Sequence, residues 1–358
     1  MADPTQRPAG PSTPAVLIDL DIARRNIRRF QDYADAHGLT VRPHIKTHKL
    51  PAIARMQLAA GAVGITCQKV SEAEAMVAGA PDLSDVLITY NIVGAEKLSR
   101  LAALARRVTL GVVADSAAVV EGLSSAFAAE PSPLRVLVEC NTGADRCGVA
   151  TPEEAAALAR RIAASPGLRF GGLMTYPPAN GVAAVETFMT KAKMLIEAEG
   201  LPVEVITSGG TPSMMSAAQA PVTTEYRPGT YVYNDRSLVA RGVCGWEDCA
   251  LTVLATVVSV PAANRAIIDA GSKTLTSDLL GLTGYGHVLG RPDIAIDQLS
   301  EEHGRLVSEG PIGLIVSETV RVVPNHACVV TNMVDEVHVV EGGRLTGTWA
   351  VVARGHIT

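Results

Sequence analysis

The sequence predicts an α/β protein: a (β/α)8 barrel of the TIM type followed by an all-β domain. Eight short apolar runs, rich in β-branched residues, alternate with alanine-rich segments of helical periodicity along the N-terminal part of the chain. After about residue 240 such helical segments become rare, and strand-like runs separated by turns continue. The length of 358 residues exceeds what one hydrophobic core usually serves, which agrees with a large and a smaller domain.

The eight apolar runs are the predicted barrel strands. Their nearly continuous apolar character is typical of a parallel sheet that helices cover on the outside. They span residues 41–47, 62–67, 85–90, 107–113, 134–140, 169–176, 203–207 and 222–225. An open, doubly wound sheet is the alternative, because a strand count from one sequence is fallible.

The change in pattern sets the predicted domain boundaries. We expect residues 1–28 to be a lead-in with one early strand, 15–19, that joins the β domain. Residues 29–240 form the barrel and residues 241–358 the β domain in this prediction. The later strand-like runs span residues 251–260, 265–269, 312–323, 328–332, 336–341 and 348–353.

Composition narrows the class of partner to small molecules. The chain is 47% hydrophobic and 4% aromatic with a net charge of −5, so it offers no basic or stacking surface for nucleic acid. It shows neither a secretory signal pattern at its start nor an apolar stretch long enough for a membrane helix. Its six cysteines lack paired CxxC spacing, which favours reduced thiols and a cytoplasmic location.

Lys46 follows the first predicted strand, at the barrel end where active sites lie. Alternation along a strand would place it on one face with His44 and His48. An ammonium group that faces the barrel mouth loses hydration, which lowers its pKa and frees the amine to attack a carbonyl. Lys46 is therefore the candidate for a Schiff base with pyridoxal 5′-phosphate (PLP). An ordinary surface lysine is the other interpretation, and Lys49 is the rival residue.

A glycine-rich turn, Ser208-Gly209-Gly210-Thr211, follows the seventh predicted strand. Barrels often bind phosphate at this place, through backbone N–H groups at the start of a short helix. Glycine permits close approach of the backbone, and the hydroxyl groups add donors. The turn is a candidate phosphate site, with a plain turn as the alternative.

His326 and Cys328 are two residues apart near the C-terminus. In an extended segment their side chains would share one side, so that they would together bind one divalent ion. Two protein ligands leave coordination positions open for water or substrate. The alternative is a hydrogen-bonded histidine beside a buried free cysteine.

In ordered combination, these motifs resemble the D-threonine aldolase and D-serine dehydratase group of fold-type III PLP enzymes, which are relatives of alanine racemase. The resemblance runs over nearly the whole chain. Its main motifs are Arg42-Pro43-His44-Ile45-Lys46-Thr47-His48-Lys49, Asp145-Arg146-Cys147-Gly148-Val149, Ser208-Gly209-Gly210-Thr211-Pro212, Arg227-Pro228-Gly229-Thr230-Tyr231 and Pro324-Asn325-His326-Ala327-Cys328.

The resemblance implies an alanine-racemase-like barrel, a homodimer and Lys46 as the Schiff-base lysine. It implies that His326 and Cys328 hold a catalytic divalent cation, whether zinc, manganese or magnesium. The residues expected to bind the cofactor are Lys46, Arg146, Tyr176, Ser208, Gly209, Gly210, Thr211 and Tyr231. Among them Tyr176 is expected to face the pyridine nitrogen, and the turn at 209–211 to bind the phosphate.

The implied activity is that of a lyase on a D-3-hydroxy amino acid, by retro-aldol cleavage to glycine and an aldehyde. The alternative is a D-serine or D-3-hydroxyaspartate dehydratase, for which a His-x-Cys metal pair is more typical. A PLP racemase or a non-catalytic PLP carrier is a more remote reading. Many members have a His-Gly pair after the tyrosine that matches Tyr176, whereas this chain has Pro177-Pro178. The base for the β-hydroxyl is therefore unassigned, with His44, His48 and a metal-bound water as candidates.

Overall fold

The computed structural model describes residues 10–358, and these divide into two compact units. The first nine residues of the predicted lead-in lie outside the described residues. One unit, the barrel unit, contains residues 28–46, 51–229 and 356–358. The other, the β-rich unit, contains residues 10–27, 47–50 and 230–355.

The secondary structure elements are as follows. The strands are β1 (Ala15–Asp19), β2 (Thr40–Val41), β3 (Ile65–Cys67), β4 (Asp85–Ile88), β5 (Thr109–Ala114), β6 (Leu134–Cys140), β7 (Leu168–Thr175), β8 (Val205–Gly209), β9 (Glu225–Arg227), β10 (Leu251–Ala262), β11 (Arg265–Ile268), β12 (His287–Val288), β13 (Ala295–Leu299), β14 (Gly304–Val307), β15 (Thr319–Val323), β16 (Glu336–Glu341) and β17 (Arg344–Ala350). The helices are α1 (Leu20–Ala36), α2 (Pro51–Ala59), α3 (Val70–Gly79), α4 (Ala95–Ala105), α5 (Ala117–Phe127), α6 (Pro152–Ala164), α7 (Val182–Ala198), α8 (Arg236–Ala240), α9 (Ser272–Leu275) and α10 (Ala327–Met333). Short 3-10 helices span Ile45–Thr47, Thr211–Gln219, Thr230–Val232 and Trp246–Asp248.

The barrel unit contains an eight-stranded parallel sheet in the order β2-β9-β8-β7-β6-β5-β4-β3. The two ends of this sheet meet through a parallel bridge between His44 and Thr66. There the N–H of Thr66 donates to the carbonyl of Pro43 at 2.8 Å. The strands therefore close into a barrel, and the predicted fold class is confirmed.

The predicted first strand, 41–47, is wrong beyond Val41. Strand β2 ends at Val41, and Ile45–Thr47 forms a 3-10 helix. Arg42 and His44 still donate to the carbonyls of Tyr226 and Pro228, at 3.0 and 2.9 Å, so hydrogen bonding along the β9 side continues to His44 before the chain turns at Ile45. Residues 44, 46 and 48 therefore do not share one face of a strand, and Lys46 lies on a tight turn past the strand end.

The barrel interior is an apolar cluster of Leu87, Val113, Leu137 and Met174. Next to it, the pairing of β6 with β7 shifts register between Val136 and Leu137. At this irregularity Gly172 has φ +132°, and an added Cβ would lie 2.0 Å from the carbonyl oxygen of Val205. Only glycine allows β7 to approach β8 so closely there.

The β-rich unit is built on a nine-stranded sheet with the path β13-β14-β11-β10-β1-β16-β17. Strand β15 pairs with β10 and with β12. The early strand β1 lies between β10, to which it is antiparallel, and β16, to which it is parallel. The strand that opens the chain's described part is therefore central in this sheet.

The strand predicted for residues 328–332 is wrong, because these residues belong to helix α10. The buried positions of α10 are Ala327, Val330 and Thr331, spaced as on one helix face. The Thr331 hydroxyl donates to the carbonyl of Ala327 at 3.1 Å. Packing of this face outweighs the strand preference of the two valines and the threonine.

None of the helices within residues 10–358 is long and apolar enough to cross a membrane.

Replacing Gly172 by Ala is expected to lower the free energy of unfolding by roughly 3 kcal/mol or more, because Cβ would meet a backbone oxygen and the φ value is unfavourable. Gly200→Ala is the matched control. Gly200 also has a positive φ, +79°, but an added Cβ there meets nothing within 4 Å. That substitution should cost about 1 kcal/mol. Equal losses for the two variants in urea unfolding would contradict the described packing of β7 on β8.

Candidate active site

Lys46 lies half-buried on the turn that follows β2, at the carboxyl end of the parallel sheet. Its backbone N–H donates to Nδ1 of His44 at 3.4 Å. The other imidazole nitrogen of His44, Nε2, pairs with Oε1 of Gln68 at 3.0 Å. Because Nδ1 accepts, the imidazole proton is on Nε2 and is donated to Gln68. His44 thus braces the turn that carries Lys46 and uses both ring nitrogens to do so.

Lys49, the rival lysine, has its ammonium group engaged within the β-rich unit. It donates to Oδ1 of Asn332 at 2.7 Å and to the carbonyl of Ala353 at 3.1 Å. The residue is buried, with 5% of its surface exposed. An amine held by two acceptors in this way serves structure.

The glycine turn follows β8 and leads into the 3-10 helix Thr211–Gln219. A Cβ on Gly209 would lie 2.8 Å from the carbonyl oxygen of Arg227, and Gly210 has φ +124°. The Tyr226 hydroxyl donates to the Gly210 carbonyl at 2.9 Å and fixes the turn. The first N–H groups of a helix have no carbonyl before them in that helix, so they are available to an anion. The turn fits a phosphate group.

Arg146 and Tyr176 lie together in the same unit as this turn. The guanidinium carbon of Arg146 is 4.7 Å from the centre of the Tyr176 ring. A Cβ on Gly210 would be 3.5 Å from Cε2 of that ring. The structure therefore brings three predicted cofactor residues together: Arg146, Tyr176 and Gly210. An aromatic face, a cation and a glycine turn suit a flat, anionic, phosphorylated ring.

Arg227, which the sequence analysis placed in a family motif without assigning it a role, is a buried cation at the end of β9. Its guanidinium donates to Oγ1 of Thr207 at 2.8 Å and to the carbonyl of Thr175 at 2.5 Å. Burial lowers the pKa of Arg227 to about 10, so it stays charged at neutral pH. The sequence signal for this residue is its position: a charged residue directly follows a short apolar run, at the end of the barrel where active sites form.

Sequence reasoning missed two carboxylates, Asp115 and Glu139. Asp115 follows β5, and Glu139 lies near the end of β6 with only 4% of its surface exposed. Burial, reinforced by the charge of Asp115, raises the pKa of Glu139 to about 7. A glutamate so placed titrates near neutral pH.

In the β-rich unit, His326 and Cys328 lie at the start of α10. His326 is the residue that precedes the helix, and Cys328 is its second residue. Their interpretation as one side of an extended segment is therefore wrong. The structure nevertheless brings them together, since the imidazole and the thiol form a hydrogen bond.

Asp235, which sequence reasoning missed, orients His326. Its Oδ2 accepts from Nδ1 of His326 at 3.2 Å and from the N–H of Ala327 at 3.1 Å. Its Oδ1 accepts from the Ser237 hydroxyl at 2.7 Å and from the Leu238 N–H at 3.2 Å, which caps α8. Asp235 is fully buried and so holds one imidazole orientation, in which Nε2 is directed to Cys328.

The environment of Cys328 favours a thiolate, the form that binds metals. Burial raises its pKa, but the charge and hydrogen bond of His326, with hydrogen bonds from Thr47 and Thr230, lower it by more. The hydroxyl oxygens lie 3.2 Å and 3.5 Å from the sulfur. Burial also lowers the pKa of His326, but Cys328 and Asp235 outweigh it and raise the pKa to about 11.

A nitrogen ligand oriented by a carboxylate and a thiolate beside it fit a borderline divalent metal. Across residues 10–358, no third His, Cys, Asp or Glu joins His326 and Cys328 in a group whose ligand atoms all lie within 4.8 Å. Two protein ligands leave positions open, as catalytic metal sites require.

The remaining predicted cofactor residues are divided between the units. Ser208 and Thr211 are buried in the barrel unit, where Oγ1 of Thr211 accepts from the Gly229 N–H at 3.3 Å. Tyr231 is buried in the β-rich unit, in the 3-10 helix Thr230–Val232.

Comparison with known protein families identifies two successive domains. The alanine racemase N-terminal domain family matches residues 18–237. A putative serine dehydratase domain family matches residues 250–340. The D-threonine aldolase of an Arthrobacter species is 34% identical over 98% of this chain and 96% of its own. The D-threo-3-hydroxyaspartate dehydratase of Delftia sp. strain HT23 is 33% identical over 88% of this chain and 90% of its own.

Solved structures agree with these sequence matches. The crystal structure of D-threonine aldolase from Filomicrobium marinum is 35% identical and covers 97% of each chain with a TM-score of 0.90. A cysteine-to-alanine variant of a D-threo-3-hydroxyaspartate dehydratase, described in a metal-free form, is 31% identical with a TM-score of 0.86. It covers 95% of this chain and 97% of its own. The family resemblance read from the sequence is confirmed.

Replacing Asp235 by Asn is expected to weaken binding of Zn²⁺ or Mn²⁺ roughly 10- to 100-fold. An amide still caps α8, but it can donate to Nδ1 of His326 and move the imidazole proton to the metal-facing nitrogen. Equilibrium dialysis of the folded variant measures the effect. Asp335→Asn is the control, because the Asp335 side chain is 85% exposed and pairs with Arg354. Unchanged affinity in Asp235→Asn would contradict the orienting role.

Proposed function

This chain belongs to the family of the alanine racemase N-terminal domain, and on that premise we propose that it is a PLP-dependent lyase acting on a D-3-hydroxy amino acid. The observation that carries the proposal is the occurrence, in one chain, of two features. One is Lys46, on the turn at the carboxyl end of the barrel sheet, and the other is the oriented His326–Cys328 pair. Both aldolases and dehydratases of D-3-hydroxy amino acids are among its relatives of more than 30% identity.

In this proposal PLP, when bound, supplies an electron sink for the negative charge that develops at Cα of an amino acid. Lys46 holds the cofactor covalently, and the turn from Ser208 to Thr211 holds its phosphate. Tyr176 provides a face for the ring, and Arg146 a positive charge for its anionic groups. His44 keeps the turn of Lys46 in place through its two hydrogen bonds.

A divalent metal on His326 and Cys328 would supply a Lewis acid for the β-hydroxyl of the substrate. Asp235 holds His326 in the tautomer that leaves Nε2 for the metal. The hydroxyl groups of Thr47 and Thr230 support the Cys328 thiolate. We include zinc, manganese and magnesium as candidates.

Retro-aldol cleavage to glycine and an aldehyde is the reaction we propose first, since the likeness to D-threonine aldolases covers nearly the whole chain. Dehydration of D-serine or D-3-hydroxyaspartate, with release of ammonia, is the alternative. It is favoured by the sulfur ligand Cys328 and by the Delftia dehydratase. Either reaction uses the same lysine and the same metal.

The candidate bases for the β-hydroxyl are constrained by their hydrogen bonds. His44 accepts at Nδ1 and is bonded at Nε2, and His48 accepts the Leu50 N–H at Nδ1 at 3.0 Å. A neutral imidazole has only one lone pair, so neither residue accepts a proton without losing a hydrogen bond. We therefore propose both as structural residues of the lysine loop.

We further propose a cytoplasmic homodimer, in keeping with the family resemblance and the reduced cysteines.

Replacing Lys46 by Ala is expected to abolish covalent PLP attachment and activity together. Borohydride reduction of the wild-type holoenzyme, followed by peptide mass spectrometry, should place the phosphopyridoxyl group on Lys46. Lys49→Met is the control, because Lys49 is buried and already bonded; it should retain the adduct at Lys46 if it folds. An adduct at Lys49, or none at any lysine after loading, would refute the assignment.

Removal of the metal is expected to abolish turnover while PLP stays attached, because the two groups use different residues. Products from D-threonine, with and without EDTA, give the reaction type: glycine with acetaldehyde for the aldolase, or 2-oxobutyrate with ammonia for the dehydratase. Cys328→Ala should reproduce the effect of the chelator, and Cys244→Ala should not. Full activity after verified metal removal, or racemisation without these products, would exclude the proposed reaction.

A further inference from the structure

The end of β6 carries a feature that the proposed function leaves unused. The carboxylates of Asp115 and Glu139 and the thiol of Cys147 form a cluster whose ligand atoms all lie within 4.8 Å of one another. Asp115 accepts the N–H of Gly148 at 3.2 Å, and Cys147 is exposed. All three residues belong to the barrel unit, as do Arg146 and Tyr176.

Such a trio has the residue types of a metal site, but its surroundings favour a proton. The positive charges of Arg146 and Arg227 both act on Glu139 and oppose a divalent cation there. Burial and the two carboxylates raise the pKa of the Cys147 thiol, which keeps it protonated and a poor ligand. These charges, together with the protonated thiol, favour a proton over a divalent metal ion at this cluster.

Two carboxylates so close do not both ionise readily when one is buried, because the second negative charge is repelled by the first. Glu139 is 4% exposed, and a carboxylate oxygen of Asp115 lies within 4.8 Å of one of its own. Burial and the charge of Asp115 raise the pKa of Glu139 to about 7, so Glu139 titrates near neutral pH.

The groups that face Glu139 decide the effect of its titration. They are Asp115, which follows β5, Cys140 of β6, Arg146 and Cys147 of the loop that follows β6, and Arg227 of β9. Burial keeps Cys140 a neutral thiol. Arg227 is fixed by hydrogen bonds to Thr207 and Thr175. Arg146 is exposed, lies over Tyr176 and forms a hydrogen bond with the exposed Cys147, so it is the cation that can move in response.

We propose that Glu139 is a positioning residue that acts on the cofactor pocket through Arg146, according to whether its buried carboxyl group carries a proton. The inference rests on the proposed PLP function. Loss of that proton adds a negative charge that attracts Arg146 and competes with an anion bound over Tyr176. A phosphorylated pyridine ring therefore binds more weakly as the pH rises through the titration of Glu139.

The test is the affinity of the full-length apoprotein for pyridoxine 5′-phosphate, which has the ring and phosphate of PLP but no aldehyde for Lys46. Between pH 6 and 8 the Kd of the wild type should rise about tenfold more than that of Glu139→Gln, the effect of a one-unit coupled pKa shift. The ligand phosphate titrates equally in both proteins. Glu204→Gln is the control, since Glu204 pairs with Arg169 near the surface and should behave as wild type.

A second measurement keeps the inference testable if Glu139→Gln fails to fold. Infrared difference spectra of the wild-type apoprotein should show a protonated carboxyl band that disappears between pH 6 and 8. Asp115→Asn, which can still accept the Gly148 N–H, should move that loss to lower pH. Absence of the band, or an equal pH dependence of Kd in wild type and Glu139→Gln, would overturn the proposal. If pyridoxine 5′-phosphate fails to bind at any pH, the cofactor assignment is refuted. The infrared band still tests, independently, whether Glu139 is protonated.

Discussion

The parallel hydrogen-bond ladder of the barrel is the constraint on which the proposed cofactor pocket depends. In a closed parallel sheet all strands end at the same rim, so residues far apart in sequence are delivered to one place. Lys46 follows β2, Glu139 lies in β6, Tyr176 follows β7, and the glycine turn follows β8. The bridge between His44 and Thr66 closes this ladder immediately before Lys46. The short segment from His44 to Lys46 thus both closes the sheet and carries the candidate lysine.

Buried charges in each unit carry the chemistry, and each has a compensating partner. In the β-rich unit, Asp235 is fully buried and its two oxygens accept four hydrogen bonds, one of them from His326. In the barrel unit, Arg227 satisfies its donors on Thr207 and Thr175. Because burial makes an unpartnered charge costly, these arrangements hold their members in one geometry. The exception is Glu139, whose buried carboxyl group is neutralised by a proton in our proposal.

The sequence was sufficient for the fold class and for the residues whose chemistry is local. Alternating strand and helix patterns predicted the barrel, and the glycine turn was predicted from its own residues. The local conformation was predicted wrongly at 41–47 and 328–332. At 41–47 the hydrogen bonds to the β9 side continue to His44 before the chain turns, and at 328–332 the buried face of α10 outweighs the preferences of β-branched residues. Asp235 and Asp115 were missed because the partners that define their roles, His326 and Gly148, lie 91 and 33 residues away, and only the folded chain selects those partners.

The most direct test of the whole account is a crystal structure of the holoenzyme with PLP and a divalent metal. The account predicts continuous electron density from Nζ of Lys46 to the cofactor, with the phosphate against the N–H groups of Gly210 and Thr211 and the metal on His326 and Cys328. PLP bound through another lysine, or a phosphate held away from the glycine turn, would contradict it.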